Sequence, residues 1–146
     1  MAQALHRVAA PAVPDLPSAS WTNGWRLGDE IVLSGMTAHP ASRDAAAAGK
    51  PLDAYAQTLV VLNKIAALVE AAGGHRHNIT KTVVYLTNIA DKDAVGRARR
   101  AFFGEAFPCS TLVGVSALVF PELLVEIDAW ARLDVDLRLA TPMPLG

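Results

Sequence analysis

The sequence is poor in the residues that mark several large protein classes. Its one cysteine, Cys109, excludes an intramolecular disulfide and a cysteine-based zinc cage, so a reduced, cytoplasmic compartment is the default expectation. The formal net charge is only -1, and nucleic-acid-binding surfaces usually need a clear basic excess. No uncharged apolar run approaches the roughly 18 residues of a membrane helix, and no signal-peptide pattern is present. We therefore expect a cytoplasmic protein that binds neither nucleic acid nor membrane.

What the sequence does have is apolar material for a sizeable core. Of its 146 residues, 52% are hydrophobic and 18% are charged. This length suits one domain, because a second would lack a core of its own, and we assign residues 1–146 to it. Residues 1–17 are rich in proline and are predicted to form an irregular arm with one short strand near Leu5–Ala9. Residues 141–146 are predicted to form a short tail.

The hydrophobic pattern of the rest predicts a sheet and two helices. A β-hairpin is predicted over Trp21–Ser34 with its turn at Gly28-Asp29, followed by a surface loop over Thr37–Lys50. Apolar residues recur at helical spacing in Pro51–Ala72, and Gly73-Gly74 ends that helix. The remaining predicted elements, in chain order, are strand Lys81–Thr87, helix Lys92–Ala106 with Asp91 as its N-cap and Pro108 as its stop, and strands Thr111–Val115 and Leu123–Leu133.

This order of elements predicts an α+β fold. A single sheet with two helices on one face is the economical arrangement, because each helix has one apolar stripe to bury. The last strand has apolar residues on both faces, with Val125, Ile127, Ala129 and Ala131 on one and Leu124 and Trp130 on the other. We expect that second face to be covered by self-association of the chain.

Glu126 is the most informative single residue, because it lies within an otherwise apolar strand. A carboxylate there is costly unless it is paired or used. One interpretation is an ion pair, for example with Arg132 or with a cross-strand partner. The other is a carboxylate that lines a pocket and handles a proton or a water, with Asp128 on the same face.

Other polar motifs favour structural interpretations. His75 and His77 form an HxH pair, but no third ligand accompanies it, so solvated loop histidines are expected and no metal site. Cys109 is predicted to be a buried structural thiol, because nothing near it in sequence would lower its pKa. The run Arg97, Arg99 and Arg100 is predicted to be a solvated helix face. A ribonuclease is disfavoured, since a basic groove with aromatic residues is missing.

Several short segments occur together in an order that one family shares. They are Asp29–Gly35, Gln57–Ile65, Glu70–Gly74, Ile79–Thr87, Phe102–Gly104 with Phe107-Pro108, Ser110–Leu118 and Leu124–Ala129, which together span roughly residues 17–133. Each segment alone is weak, but the ordered set resembles the Rid family of reactive-intermediate imine deaminases, also called YjgF-like proteins. The resemblance implies a chorismate-mutase-like fold with a mixed sheet, assembled as a homotrimer with active sites in clefts between subunits.

The resemblance also implies an activity and a set of site residues. The family hydrolyses enamines or imines to a keto acid and ammonia, with no cofactor. By position, Glu126 matches the glutamate that positions or deprotonates the attacking water, and Ser34-Gly35 match a pocket serine and the glycine after it. Trp21 stands where the family has an aromatic residue, usually tyrosine. Cys109 and Ser110 follow the Phe-Pro pair and complete the expected pocket.

Two positions depart from the family pattern. Ser110 stands where an arginine normally grips the substrate carboxylate, and Gly96 stands where the family has an asparagine. A neutral serine cannot hold a carboxylate as a guanidinium does, which argues against the usual 2-imino-acid deaminase activity. We expect a small-molecule hydrolase of the Rid type acting on an imine, enamine or related metabolite, with Glu126 and Ser110 as its catalytic residues. One alternative for the carboxylate site is a replacement arginine from the second helix, namely Arg97, Arg99 or Arg100. The alternative function is a non-catalytic metabolite-binding or regulatory trimer.

Overall fold

The N-terminal hairpin is the first part of a sheet of seven strands. The structure is a computed structural model that describes residues 4–145. The strands are β1 (Leu5–Arg7), β2 (Gly24–Leu27), β3 (Glu30–Leu33), β4 (Met36–Thr37), β5 (Ile79–Leu86), β6 (Cys109–Gly114) and β7 (Val125–Arg132). The helices are α1 (Ala41–Ala47), α2 (Ala54–Ala71) and α3 (Lys92–Phe103). Short 3₁₀ turns cover Arg76–Asn78, Ile89–Asp91 and Leu137–Leu139.

The sheet is mixed, as its topology shows. The strand order is β1-β2-β3-β7-β5-β6, and β4 also pairs with β7. Neighbouring strands are antiparallel except for β5 and β6, which are parallel and joined through α3. A parallel pair needs such a crossover, because a tight turn cannot connect its ends. The central strand β7 therefore carries Glu126 between β4 and β5.

Helix α2 forms the largest part of the core. Its N-cap is Asp53, whose side chain accepts a hydrogen bond from the Ala56 amide at 2.8 Å. The helix buries one face against β7 and β4 and packs beside α3. Gly73 follows it with φ at 101°, the left-handed region that an ordinary side chain rarely adopts, so the predicted glycine stop is confirmed.

A third helix lies where the sequence predicted only a loop. Helix α1 (Ala41–Ala47) occupies part of the predicted loop Thr37–Lys50. Its residues are almost all exposed and only Ser42 is buried, so the sequence has no apolar stripe that would indicate a helix here. The alanine-rich sequence supplies the helix propensity instead.

The ends of α3 also differ from prediction. Asp91 is at the N-cap position, but its side chain makes no capping hydrogen bond. The preceding 3₁₀ turn is capped by Asn88, whose side chain accepts from the Ala90 amide. The helix ends at Phe103, because Gly104 has φ at 77° and turns the chain before Pro108 is reached. Within residues 4–145, no helix is long and apolar enough to cross a membrane.

Gln57 connects α2 to the segment that leads into β7. The side chain is buried; its amide donates to the carbonyls of Leu52 and Glu122, and its oxygen accepts from the Leu124 amide at 2.9 Å. We expect Gln57→Met to lower the free energy of unfolding by about 2–4 kcal/mol, because buried backbone groups lose their partners. Urea unfolding at fixed protein concentration measures this. Asn63→Met on the exposed side of α2 is the control, and an equal effect there would contradict the prediction.

Candidate functional site

Glu126 lies on the face of the sheet that the helices leave open. Along β7 the buried side chains of Val125, Ile127 and Ala129 alternate with those of Glu126 and Asp128, which are only half-buried. Successive side chains of a strand point to opposite faces, so the two carboxylates share the open face. The apolar core and α2 lie behind them.

The surroundings of Glu126 favour its protonated form. Burial raises the pKa of Glu126 above its usual range, and the charge of Asp128 raises this pKa further. Asp128 accepts a hydrogen bond from the Tyr85 hydroxyl at 2.8 Å, and this bond raises the pKa of Tyr85. A carboxyl group with a raised pKa beside a groove is suited to exchange protons with a molecule bound there.

The ion-pair interpretation of Glu126 is wrong in its named partner. Arg132 bonds to Glu30 at 3.1 Å and to Asp134 at 2.8 Å. Glu30 and Asp134 lie next to Arg132 at the far end of β7, whereas Asp128 and Trp130 stand between Arg132 and Glu126 on the same strand face. Among residues 4–145, Glu126 makes no salt bridge and no side-chain hydrogen bond.

Gly35 brings the backbone close to both carboxylates. A Cβ atom at this position would lie 2.6 Å from Oε1 of Glu126 and 2.9 Å from Oδ1 of Asp128. Either distance is too short for a real contact, so the missing side chain is what leaves room for the acids. The neighbouring Ser34 donates its hydroxyl proton to the Thr22 carbonyl, which orients its oxygen lone pairs.

A groove of about 580 Å³ connects Glu126 and Gly35 with Trp21, whereas Ser34 does not line it. Trp21 is 55% exposed and provides a flat wall, and Gly35 and Glu126 line the same groove. Predicted pocket residues from three separate segments therefore come together here. The volume lies within the usual range for small-molecule sites, about 300–1,000 Å³.

Lys64 is a groove residue that the sequence reasoning missed. Its ammonium group donates to the carbonyls of Thr37 and His39, and burial lowers the pKa of this lysine. Lys64 lines the groove together with Glu126. The only sequence signal was a charged residue interrupting the apolar run of α2, which by itself does not show what the side chain faces.

Ser110 and Cys109 lie away from Glu126. In the sheet register Ser110 pairs with Thr82, and Thr82 in turn pairs with the buried Ala129. Paired side chains share a face, so Ser110 lies on the helix-covered face and Glu126 on the open one. Two strand spacings and three residues separate them, about 14 Å between backbone positions. One protomer therefore does not bring the two predicted catalytic residues together.

Cys109 and Arg99 both correct the sequence predictions. Cys109 is exposed rather than buried, because it begins the edge strand β6. On α3, Arg97 and Arg100 are exposed as expected, but Arg99 is partly buried and its Nη1 donates to Ser110 Oγ at 2.8 Å. Helical spacing cannot by itself show that one arginine of the run turns toward the sheet edge.

The histidine pair has a local structural role. His75 caps the 3₁₀ turn Arg76–Asn78 by accepting from the His77 amide, and the His77 ring contacts the Phe103 carbonyl at 3.2 Å. In the described part of the chain, no group of three or more His, Cys, Asp or Glu residues could hold a metal ion.

Comparison with known proteins agrees with this architecture. The family model described as Endoribonuclease L-PSP matches residues 13–133. The 2-iminobutanoate/2-iminopropanoate deaminase of Escherichia coli (strain K12) is 32% identical over 126 residues, covering 82% of this chain and 94% of the relative. The 3-aminoacrylate deaminase RutC of Acinetobacter baylyi is 29% identical over 116 residues, covering 80% of this chain and 89% of the relative.

Solved structures agree as well. The crystal structure of PA3499 from Pseudomonas aeruginosa, a protein of unknown function, is 63% identical and superposes with a TM-score of 0.93, covering 95% of this chain and 99% of that one. The crystal structure of the YjgF gene product of Escherichia coli is 29% identical and superposes with a TM-score of 0.73, covering 87% of this chain and 98% of that one, so the expected α+β, chorismate-mutase-like fold is confirmed. The ordered segments, the fold and the matched family model lead to one conclusion: the chain belongs to the Rid, or YjgF-like, family.

Proposed function

We propose that this chain is a Rid-type hydrolase that deaminates a small imine or enamine in a cleft between subunits of a homotrimer. The observation that carries the proposal is Glu126, a half-buried carboxyl with a raised pKa and no partner within residues 4–145, on the wall of a groove of about 580 Å³. The relatives with known activities act on 2-iminobutanoate, 2-iminopropanoate and 3-aminoacrylate, which are an imine or enamine class of substrate.

The chemistry requires a water molecule and one group that both accepts and returns a proton. Glu126 takes a proton from a water molecule as the water oxygen bonds to the imine carbon, the C=N π electrons move to nitrogen, and Glu126 then returns the same proton to that nitrogen. The resulting carbinolamine then loses ammonia as its hydroxyl oxygen forms the carbonyl of the keto product. In this second step Glu126 takes the hydroxyl proton and delivers it to the departing nitrogen, so the carboxylate is regenerated. An enamine first becomes the imine by tautomerisation, in which carbon gains a proton and nitrogen loses one.

The separation of site residues supports an assembly. Ser110 lies on the opposite face of the sheet from Glu126, so a pocket that holds both draws them from two protomers. The open face also presents Trp25, Val32 and Trp130 in one row across adjacent strands. Apolar side chains in a row of that kind are typical of subunit interfaces.

An imine-hydrolysis assay tests the proposal. An L-amino-acid oxidase generates 2-imino acids from amino acids, and semicarbazide traps the imine that has not been hydrolysed. We expect the protein to lower semicarbazone formation in proportion to its concentration, because it competes for the same imine. If neither imino acids nor 3-aminoacrylate is consumed faster than in water, the deaminase proposal fails and the metabolite-binding trimer takes its place. The predicted cytoplasmic location and the single-domain assignment stay predictions.

A further inference from the structure

A second cavity, distinct from the Glu126 groove, lies between α3 and the start of β6. It has a volume of about 270 Å³, and its polar lining comes from Thr82, Arg99, Arg100 and Ser110. Phe107 and Pro108 form its apolar side. Most ligand pockets enclose about 300–1,000 Å³, so this cavity suits a small molecule of a few carbon atoms rather than a nucleotide.

Arg99 gives this cavity an unneutralised positive charge. Its Nη1 donates to Ser110 Oγ at 2.8 Å, and no carboxylate pairs with it in the part of the chain that the structure describes. Burial lowers the pKa of Arg99, and the charge of Arg100 lowers it further, although the group stays charged at neutral pH. A guanidinium has five N–H donors, so four remain after the bond to Ser110.

Thr82 supplies an independent sign that a polar ligand belongs here. Thr82 is 1% exposed, and its Oγ1 has no hydrogen-bond partner although it lines the cavity. Buried hydroxyl groups almost always have a partner, so an orphaned one requires an explanation. Ser110 is the register neighbour of Thr82 on the next strand, which places the two hydroxyls side by side on one face.

Gly96 lines this cavity beside the two arginines. It lies one turn before Arg99 and Arg100 on α3, and a Cβ atom there would lie 3.5 Å from Nη1 of Arg100. Any longer side chain would therefore extend into the space in front of the guanidinium groups. Arg97, on the same helix, lies over the Tyr55 ring instead and does not line the cavity.

We propose that Arg99, with the hydroxyls of Ser110 and Thr82, forms the site that binds the carboxylate of a small 2-imino or 2-oxo acid. Strand β6 contains no arginine, so helix α3 would supply the guanidinium instead. The identification of the acid as a substrate rests on the proposed function, whereas binding of a carboxylate at Arg99 does not. The neutral Ser110 was an argument against imino-acid substrates. That argument no longer holds under this assignment, because Arg99 on the neighbouring helix supplies the positive charge.

A binding measurement tests the site without turnover. The probe is pyruvate, titrated by calorimetry into wild type, Arg99→Gln and Arg97→Gln, with methyl pyruvate as a neutral probe and inorganic phosphate as a second anion. We expect Arg99→Gln to weaken pyruvate binding about 10- to 100-fold, because a charge-assisted pair is lost. Arg97→Gln should bind as wild type does. Equal affinity in Arg99→Gln and Arg97→Gln overturns the proposal, and so does phosphate binding tighter than pyruvate.

A charge-relocation variant tests the same site by rescue. Arg99→Gln/Ser110→Arg returns a guanidinium to the cavity from β6, and we expect it to regain at least a tenth of the wild-type pyruvate affinity. Circular dichroism confirms that each variant is folded, so a failed rescue in a folded double variant contradicts the assignment. Imine hydrolysis then separates the two proposals. Turnover that is unchanged in Arg99→Gln overturns the carboxylate site alone, whereas inactive wild type with Arg99-dependent pyruvate binding overturns the deaminase alone.

Discussion

Glu126→Gln is expected to slow imine hydrolysis by about 10²- to 10⁴-fold, the usual contribution of a positioned general base. Glutamine keeps the size of the side chain and its place beside Gly35, but it cannot take a proton from water. Substrate binding should change little, so the loss should appear in kcat more than in KM. Steady-state kinetics on the oxidase-generated imine measures both.

The pH dependence gives this prediction a second readout. Since burial and Asp128 raise the pKa of Glu126, the wild-type rate should rise with pH through a value above that of an ordinary glutamate. The unfolded chain releases this proton at the ordinary pKa and the folded chain only at the raised one. Between the two, the folded state holds more protons, so stability falls as pH rises. Glu126→Gln removes this fall and should be more stable than wild type at neutral pH, with the difference closing in acid.

Two variants make the result specific. Glu30→Gln removes an exposed carboxylate of the same sheet that pairs with Arg132, and its activity should match wild type. Glu126→Asp keeps the carboxylate on a shorter side chain and should retain more activity than Glu126→Gln. Full turnover in Glu126→Gln would mean that another group handles the water, and the assignment of Glu126 would be wrong.

Much of the fold could be predicted because its signals are local. The β2–β3 hairpin has its turn at Gly28-Asp29, and α2 has one apolar stripe followed by Gly73, so both were found nearly at their observed bounds. Helix α1 has no buried stripe, and the pattern therefore could not separate it from a loop. The end of α3 was set too late because Gly104 turns the chain before Pro108.

Some residues of the candidate site could likewise be predicted from the sequence, and others could not. Glu126 could be singled out from the sequence, because a carboxylate within an apolar strand can be recognised from the residue pattern alone. The roles of Arg99 and Thr82 could not be predicted from the sequence. They depend on the register of β5 with β6 and on which side of α3 faces β6. Cys109 was expected to be buried for want of a local signal that β6 is the sheet edge.

Trp130→Asp is expected to convert a homotrimer into monomers. Trp130 is 37% exposed on the open face, beside Val32, which is 40% exposed on the neighbouring strand. A buried aromatic side chain contributes about 150–250 Å² to an interface, and a charge there would lose its hydration while lying near Asp128. Sedimentation should give about three times the 15.4 kDa chain mass for wild type and a single chain mass for the variant.

Imine hydrolysis should be lost together with assembly, because the proposed cleft would draw Glu126 and Ser110 from different protomers. Leu139→Asp is the control, since Leu139 is also apolar and exposed but lies outside the sheet, and this variant should stay trimeric and active. Circular dichroism shows whether the Trp130→Asp monomer is folded. A folded monomer that still hydrolyses imines would contradict the intersubunit site, because each protomer would then hold a complete set of catalytic groups despite the two faces that separate Glu126 from Ser110.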